Sequence, residues 1–137
     1  MITYDIEMDK QKLMKMLLVE DDESNQIALK FLLEKLGYVV DTASSAEMAI
    51  ELLNFQHFNS KQDYDLVLTD HDMSNLTGID VIEKSKKISD KTICWLMSGR
   101  VTDLMRQMAI DAGAVKVFQK PVTFDELKEA FAELQKS

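Results

Sequence analysis

Met16-Leu17-Leu18-Val19-Glu20-Asp21-Asp22-Glu23 decides the fold, because a run of four apolar side chains ends in four consecutive acids. A short run that is apolar at every position is the pattern of a strand covered on both faces, as in parallel sheets. Three further stretches repeat it. Leu66-Val67-Leu68-Thr69-Asp70 ends in a carboxylate, and Ile93-Cys94-Trp95-Leu96-Met97-Ser98 ends in a hydroxyl. Ala114-Val115-Lys116-Val117-Phe118 leads within two residues to Lys120-Pro121. In open sheets of this kind, ligands sit outside the carboxyl ends of the strands. Acids, a hydroxyl and an ammonium are therefore expected at one edge of one sheet. An acidic run alone is ordinarily a solvated face; its coincidence with the other strand ends makes it a candidate site.

Helical patterns separate these runs. From about Ser24, Ile27, Ala28, Phe31, Leu32 and Leu36 recur at helical spacing, and Gly37 stands where a helix C-terminus takes a left-handed residue. Tyr38 to Thr42 reads as a short second strand, and Ser44 with Glu47 as a capping box before Met48, Ala49, Leu52 and Leu53. Asn54 to Asp63 is polar with no repeating period, a loop or frayed helix end. A third helix follows Gly78 with Ile79, Ile82 and Ile88 inward. The fourth begins near Thr102, carries Leu104, Met108, Ala109 and Ala112, and stops at Gly113. Thr123 and Glu126 cap the last, which shows Phe124, Leu127, Phe131 and Leu134 on one face. Five strands alternating with five helices give an open three-layer α/β fold with right-handed crossovers. Residues 1–14 have no clear period and read as an N-terminal extension or linker, with one domain over residues 15–136.

The 137 residues, 46% of them hydrophobic, suffice for one core without staples. Sixteen basic against 24 acidic side chains give a net charge of -8, which opposes attraction to nucleic acid or anionic lipid. The lone Cys94 lies inside an apolar run and reads as a small core hydrophobe. No stretch reads as a secretory signal or a bilayer span, so the cytoplasm is the expected compartment. The four glycines form no phosphate-cradling loop.

Two carboxylates about 4 Å apart repel by about 4 kcal/mol at an effective dielectric near 20, and a divalent cation removes that cost. Mg2+ binds hard oxygens through one or two carboxylates, which suits the acidic cluster. Zinc does not suit it, because neither His57 nor His71 has a second nitrogen or sulfur ligand at suitable spacing.

Together these landmarks resemble the receiver domain of two-component response regulators over about residues 15–136: the acids after strand one, Asp70 followed by Met73 and Gly78, Ser98 after strand four, and Lys120-Pro121. The resemblance implies a flavodoxin-like (βα)5 fold with a five-stranded parallel sheet in the order 2-1-3-4-5. It implies Asp70 as phosphoryl acceptor, Ser98 as switch hydroxyl and Lys120 as the site lysine. Glu20 and Asp21 become the acidic pair serving Mg2+, or Mn2+ in its place, with Asp70 and the backbone carbonyl of Asp72 completing the protein ligands. The donor becomes a phosphohistidine on a sensor histidine kinase or a histidine phosphotransfer protein, docking near Asn25 and Gln26 on helix one. Output then passes through a downstream protein or domain, by a switch of the face from strand four to helix five. The chain catalyses only its own phosphorylation and dephosphorylation, so it is not an enzyme in the ordinary sense.

Some positions depart from that pattern. Val117 stands where receivers often carry an aromatic coupled to the switch hydroxyl, with Phe118 next to it, and Ser74 replaces a common proline. By the same resemblance, Asp72 and Arg100 stand where side chains border the path of the attacking water, and they are expected to pair across the pocket. A rival reading is a haloacid-dehalogenase-like phosphatase using Asp70 and Asp72, since Asp70-His71-Asp72-Met73-Ser74 resembles its nucleophile motif. That motif belongs on the first strand, and the reading leaves Glu20 and Asp21 idle. A receiver-like docking module that works without phosphorylation is the third reading; nothing in the sequence recommends it, although Val117 leaves room for it.

Overall fold

The computed structural model describes residues 14–136. Five strands, β1 (Lys15–Val19), β2 (Val39–Ala43), β3 (Leu66–Asp70), β4 (Ile93–Ser98) and β5 (Ala114–Gln119), form one parallel sheet in the order 2-1-3-4-5. Five helices alternate with them: α1 (Glu23–Lys35), α2 (Ala46–Phe55), α3 (Gly78–Ile88), α4 (Asp103–Ala112) and α5 (Phe124–Lys136).

The continuous apolar runs sort by the two-residue period of a strand into two cores. Leu17, Val19, Val67, Cys94 and Leu96 face α2, α3 and α4, where Ala49, Leu53, Ile82 and Ala109 close the layer. Met16, Leu18, Leu68, Trp95 and Met97 face α1 and α5, meeting Leu29, Leu33, Leu127 and Phe131. Trp95 anchors this second core, with its ring 5.4 Å from Phe118 and 4.8 Å from Phe131. Met14 joins it from the chain entry, its carbonyl accepting from the Val39 amide at 3.0 Å. Among the described residues no helix is long and apolar enough to cross a membrane.

Helix one is rotated from the stripe its sequence suggests. Leu29 and Leu33 are buried, while Ile27 and Phe31 are more than 60% exposed. This segment is apolar on two stripes, and a polar residue selects between them: Gln26 Nε2 donates to Glu20 O at 3.0 Å, turning the stripe of Gln26, Leu29 and Leu33 inward. The cap of α2 lies one residue later than read, with Ser45 rather than Ser44 accepting from the Met48 amide at 3.0 Å. Of the loop or frayed helix end expected from Asn54, the structure has the helix end: α2 runs to Phe55 and continues as a π-helical turn over Gln56–Ser60, ending at left-handed Lys61. Its inward residue is Gln56, while Phe55 and Phe58 are exposed, so the run shows no apolar period. Gly37, Thr102, Gly113 and Thr123 bound their helices as expected. Leu104 and Met108 of α4 face outward, leaving Ala109 as its buried residue.

Candidate functional site

The four consecutive acids divide four tasks. Glu20 is fully buried at the end of β1, and Asp21 is exposed beside it. Asp22 caps α1, accepting the Asn25 amide at 3.0 Å, and Glu23 occupies the first turn, where the helix dipole favours negative charge. The buried Asp70 closes β3, in the middle of the sheet.

Glu20, Asp21 and Asp70 each offer a carboxylate oxygen within 4.8 Å of one another. Lys120 enters from β5 with Nζ 2.7 Å from Glu20 Oε1 and 3.1 Å from Asp70 Oδ1. The Asp22 amide donates to Glu20 Oε2 at 3.2 Å and the Asp72 amide to Asp70 Oδ1 at 3.3 Å. Three carboxylates against one ammonium leave an excess of negative charge, two of them out of water. Burial pushes the Glu20 carboxyl above its ordinary range, against Lys120 and the Asp22 amide, and the charge of Asp70 pushes it further. Burial likewise raises Asp70, with the Lys120 charge pulling the other way. Burial alone would lower the Lys120 ammonium, but its hydrogen bond to Glu20 and the charge of Asp70 prevail and raise it. The donor set is all hard oxygen with residual negative charge, and among the described residues no histidine or cysteine joins it. These residues fit Mg2+ or Mn2+ and do not fit a soft-ligand metal.

A pH dependence follows. The folded carboxyls of Glu20 and Asp70 lie above their ordinary values of 4.5 and 3.8, so in that window the native state holds more protons than the unfolded chain. Their contribution to stability therefore falls as pH rises from the ordinary carboxylate range through the raised values. Lys120 adds stability that is fully present below 10.5 and is lost as pH rises from there through its raised value. Denaturation midpoints in chelator at pH 5 and pH 8, compared with a Glu20→Gln, Asp70→Asn protein, should show a loss at pH 8 that the double variant lacks. Equal pH dependence in the two would rule the effect out.

Ser98, fully buried at the end of β4, donates to Asp72 Oδ2 at 3.0 Å and accepts the Arg100 amide at 3.2 Å. The expected pairing of Asp72 with Arg100 is not made: among the described residues no ion pair joins them, and the Ser98 hydroxyl is the partner of the Asp72 carboxylate. A buried hydroxyl needs an acceptor, whereas an exposed guanidinium is satisfied by water. Val117 packs with the Leu96 core, while Phe118 lies across the sheet against Trp95. The neighbouring aromatic therefore does not stand in for a ring at position 117.

The turn after Asp70 is set by groups that carry little signal in the sequence. The Met73 and Gly78 amides both donate to His71 O, at 3.1 and 3.2 Å, and Thr77 and Asp80 form a reciprocal capping box. Threonine followed three residues later by an acid is the signal that could have found the box. Gly78 lies so close under β3 that an added Cβ would overlap the Asp70 carbonyl oxygen and lie 2.7 Å from Leu96 Cδ1. Of the two residues expected to face a donor, Asn25 lines a groove with Ala28, Leu32, Pro121 and Val122 that opens on Glu20 and Lys120. Gln26 does not face it, since its amide is engaged inside.

The comparisons agree with this geometry. The family model for the response regulator receiver domain matches residues 16–132. The chain is 28% identical over 121 residues to the sensor protein EvgS of Escherichia coli, covering 88% of this chain and 10% of that protein. It is 33% identical over 113 residues to the transcriptional regulatory protein CpxR homolog of Haemophilus influenzae, covering 82% of this chain and 46% of that one. It thus spans from about a tenth to about a half of the length of these curated relatives. A response regulator receiver domain protein from Clostridium thermocellum superposes with a TM-score of 0.77 at 32% identity, covering 88% of this chain and 93% of that one. With the strand order, the family match and these relatives in agreement, the chain belongs to the response regulator receiver domain family of two-component signalling.

Proposed function

We propose that this receiver accepts a phosphoryl group on Asp70 from the phosphohistidine of a sensor histidine kinase or histidine phosphotransfer protein. The observation that carries the reading is the Lys120 ammonium 3.1 Å from Asp70 within the Glu20, Asp21 and Asp70 cluster. Asp70 Oδ1 already receives Lys120 and the Asp72 amide, so the second carboxylate oxygen is the nucleophile. An oxygen–phosphorus bond forms as the nitrogen–phosphorus bond of the donor breaks, and the imidazole leaves with the bonding electron pair.

The transition state is loose, so catalysis lies in positioning and in charge neutralisation. Lys120 faces the developing charge from the β5 side while bridging Glu20 and Asp70. Glu20, Asp21 and Asp70, with the Asp72 backbone carbonyl by family resemblance, would hold Mg2+, or Mn2+ in its place. When bound, the ion supplies charge stabilisation at the phosphoryl oxygens. Ser98 leaves Asp72 to donate to one of those oxygens, which biases the face from β4 to α5. Gly99 leaves the phosphoryl group open to water, because nothing lies within 4 Å of where its Cβ would be. The donor docks along the groove at Asn25, and output passes to a partner protein or domain. Kinases supplied with ATP set the reaction in the cytoplasm, and the net charge of -8 argues against direct nucleic-acid or membrane contact.

The test is intact mass after incubation with acetyl phosphate, with and without Mg2+, followed by mapping of the adduct. One phosphoryl group is expected, dependent on Mg2+, stable in acid, labile in alkali and on the peptide bearing Asp70. An adduct elsewhere, or none on a folded protein, counts against the reading. The phosphatase alternative has less support, since Glu20 and Asp21 have no task in it.

A further inference from the structure

We propose that Gln119 is a positioning residue that ties the loop after β4 to β5 in the unphosphorylated protein and so opposes closure of Ser98 onto the phosphoryl group. The inference rests on the phosphoacceptor reading above.

The β4–β5 ladder ends at the pair Ser98 and Gln119, with the Lys120 amide donating to Ser98 O at 2.8 Å. Beyond Ser98 the chain leaves the sheet, and its next backbone groups have no strand to pair with. The Gln119 side chain takes the place of that strand. Its Oε1 accepts the Val101 amide at 3.1 Å, and its Nε2 donates to Gly99 O at 2.6 Å. A planar carboxamide carries an acceptor and donors side by side, which is what two nearby backbone groups of opposite sense require.

The loop held in this way is the one that carries the switch hydroxyl. Ser98 Oγ is committed to Asp72 Oδ2 and to the Arg100 amide, not to Asp70. Donation to a phosphoryl oxygen takes the Ser98 hydroxyl proton off Asp72, leaving the loop on the Arg100 amide and the two Gln119 bonds. With Val117 in the position facing α4 and Phe118 locked against Trp95, Gln119 is the β5 side chain that makes this connection. It sets how readily the loop closes.

The test uses the full chain. Gln119→Met keeps the length and removes both bonds, while Gln119→Glu keeps the acceptor for Val101 and removes the donor to Gly99. Water exchange of the Val101 amide by NMR reads the tie, the Leu68 amide controls for global stability, and acetyl phosphate with Mg2+ gives the phosphorylation rate. In Gln119→Met, Val101 exchange should rise by about tenfold and phosphorylation should quicken by about three- to fivefold, with Leu68 unchanged. Gln119→Glu should show Val101 exchange between wild type and Gln119→Met. An unchanged Val101 amide, or a loosened loop with an unchanged phosphorylation rate, overturns the assignment. A wild type that takes up no phosphoryl group overturns the phosphoacceptor reading and this inference with it, a result distinct from a wild type and variant that react at equal rates.

Discussion

Asp70→Asn is expected to abolish the phosphoryl adduct and, in the same protein, to raise the melting temperature of the metal-free form by about 3 °C, the shift that corresponds to ~1 kcal/mol for a domain of this size. The first effect follows from the nucleophile: an amide oxygen carries no negative charge and forms no acyl phosphate. The second follows from the cluster. Asp70 and Glu20 are both buried, burial raises the pKa of each, and they share a single ammonium. Asparagine is nearly isosteric, keeps an acceptor for the Asp72 amide, and leaves Lys120 wholly to Glu20 at 2.7 Å. Removing one partner of a buried ion pair is costly when it strands the other charge, and here it strands none, because Lys120 stays paired with Glu20. Calorimetry in chelator and intact mass after acetyl phosphate test both halves. A variant that melts lower than wild type would show that Asp70 is held more by its partners than it is penalised by burial. Sites kept in tension for function commonly show this exchange of activity for stability.

The same tension makes the site legible in the sequence. Apolar runs that end in Glu20, Asp70, Ser98 and Lys120 are costly for folding alone, so their coincidence points to a candidate site, and the fold brings those residues to one edge of the sheet. Rotation and rotamer are not legible in the same way. Helix one offers Ile27 with Phe31 and Leu29 with Leu33 at equally good helical spacing, and the pair that is buried lies on the side where Gln26 bonds inward. Adjacent Ser44 and Ser45 are both acceptable caps, and the difference is one of backbone dihedrals. The choice of Asp72 to take Ser98 rather than Arg100 is a side-chain torsion that no spacing encodes. Gln119 leaves no signal, because a polar residue near the end of an edge strand is unremarkable until its partners are known.

Lys120→Ala should be the most damaging single change, lowering stability by about 3–5 kcal/mol and slowing phosphorylation by about 10²- to 10³-fold. Lys120 is the only cation in contact with Glu20 or Asp70 among the described residues, and its side chain is four-fifths buried. Without it two buried carboxylates face each other unpaired. The two losses separate by rescue. Lowering the pH protonates a carboxyl and added Mg2+ neutralises the cluster, so either should restore much of the stability in a denaturant titration. Neither replaces the ammonium on the β5 side of Asp70, so phosphorylation by acetyl phosphate at saturating Mg2+ should stay slow. Full recovery of the rate with Mg2+ would reduce Lys120 to a structural counter-ion. A rate that stays low in a protein whose stability has recovered places the lysine in the transfer step.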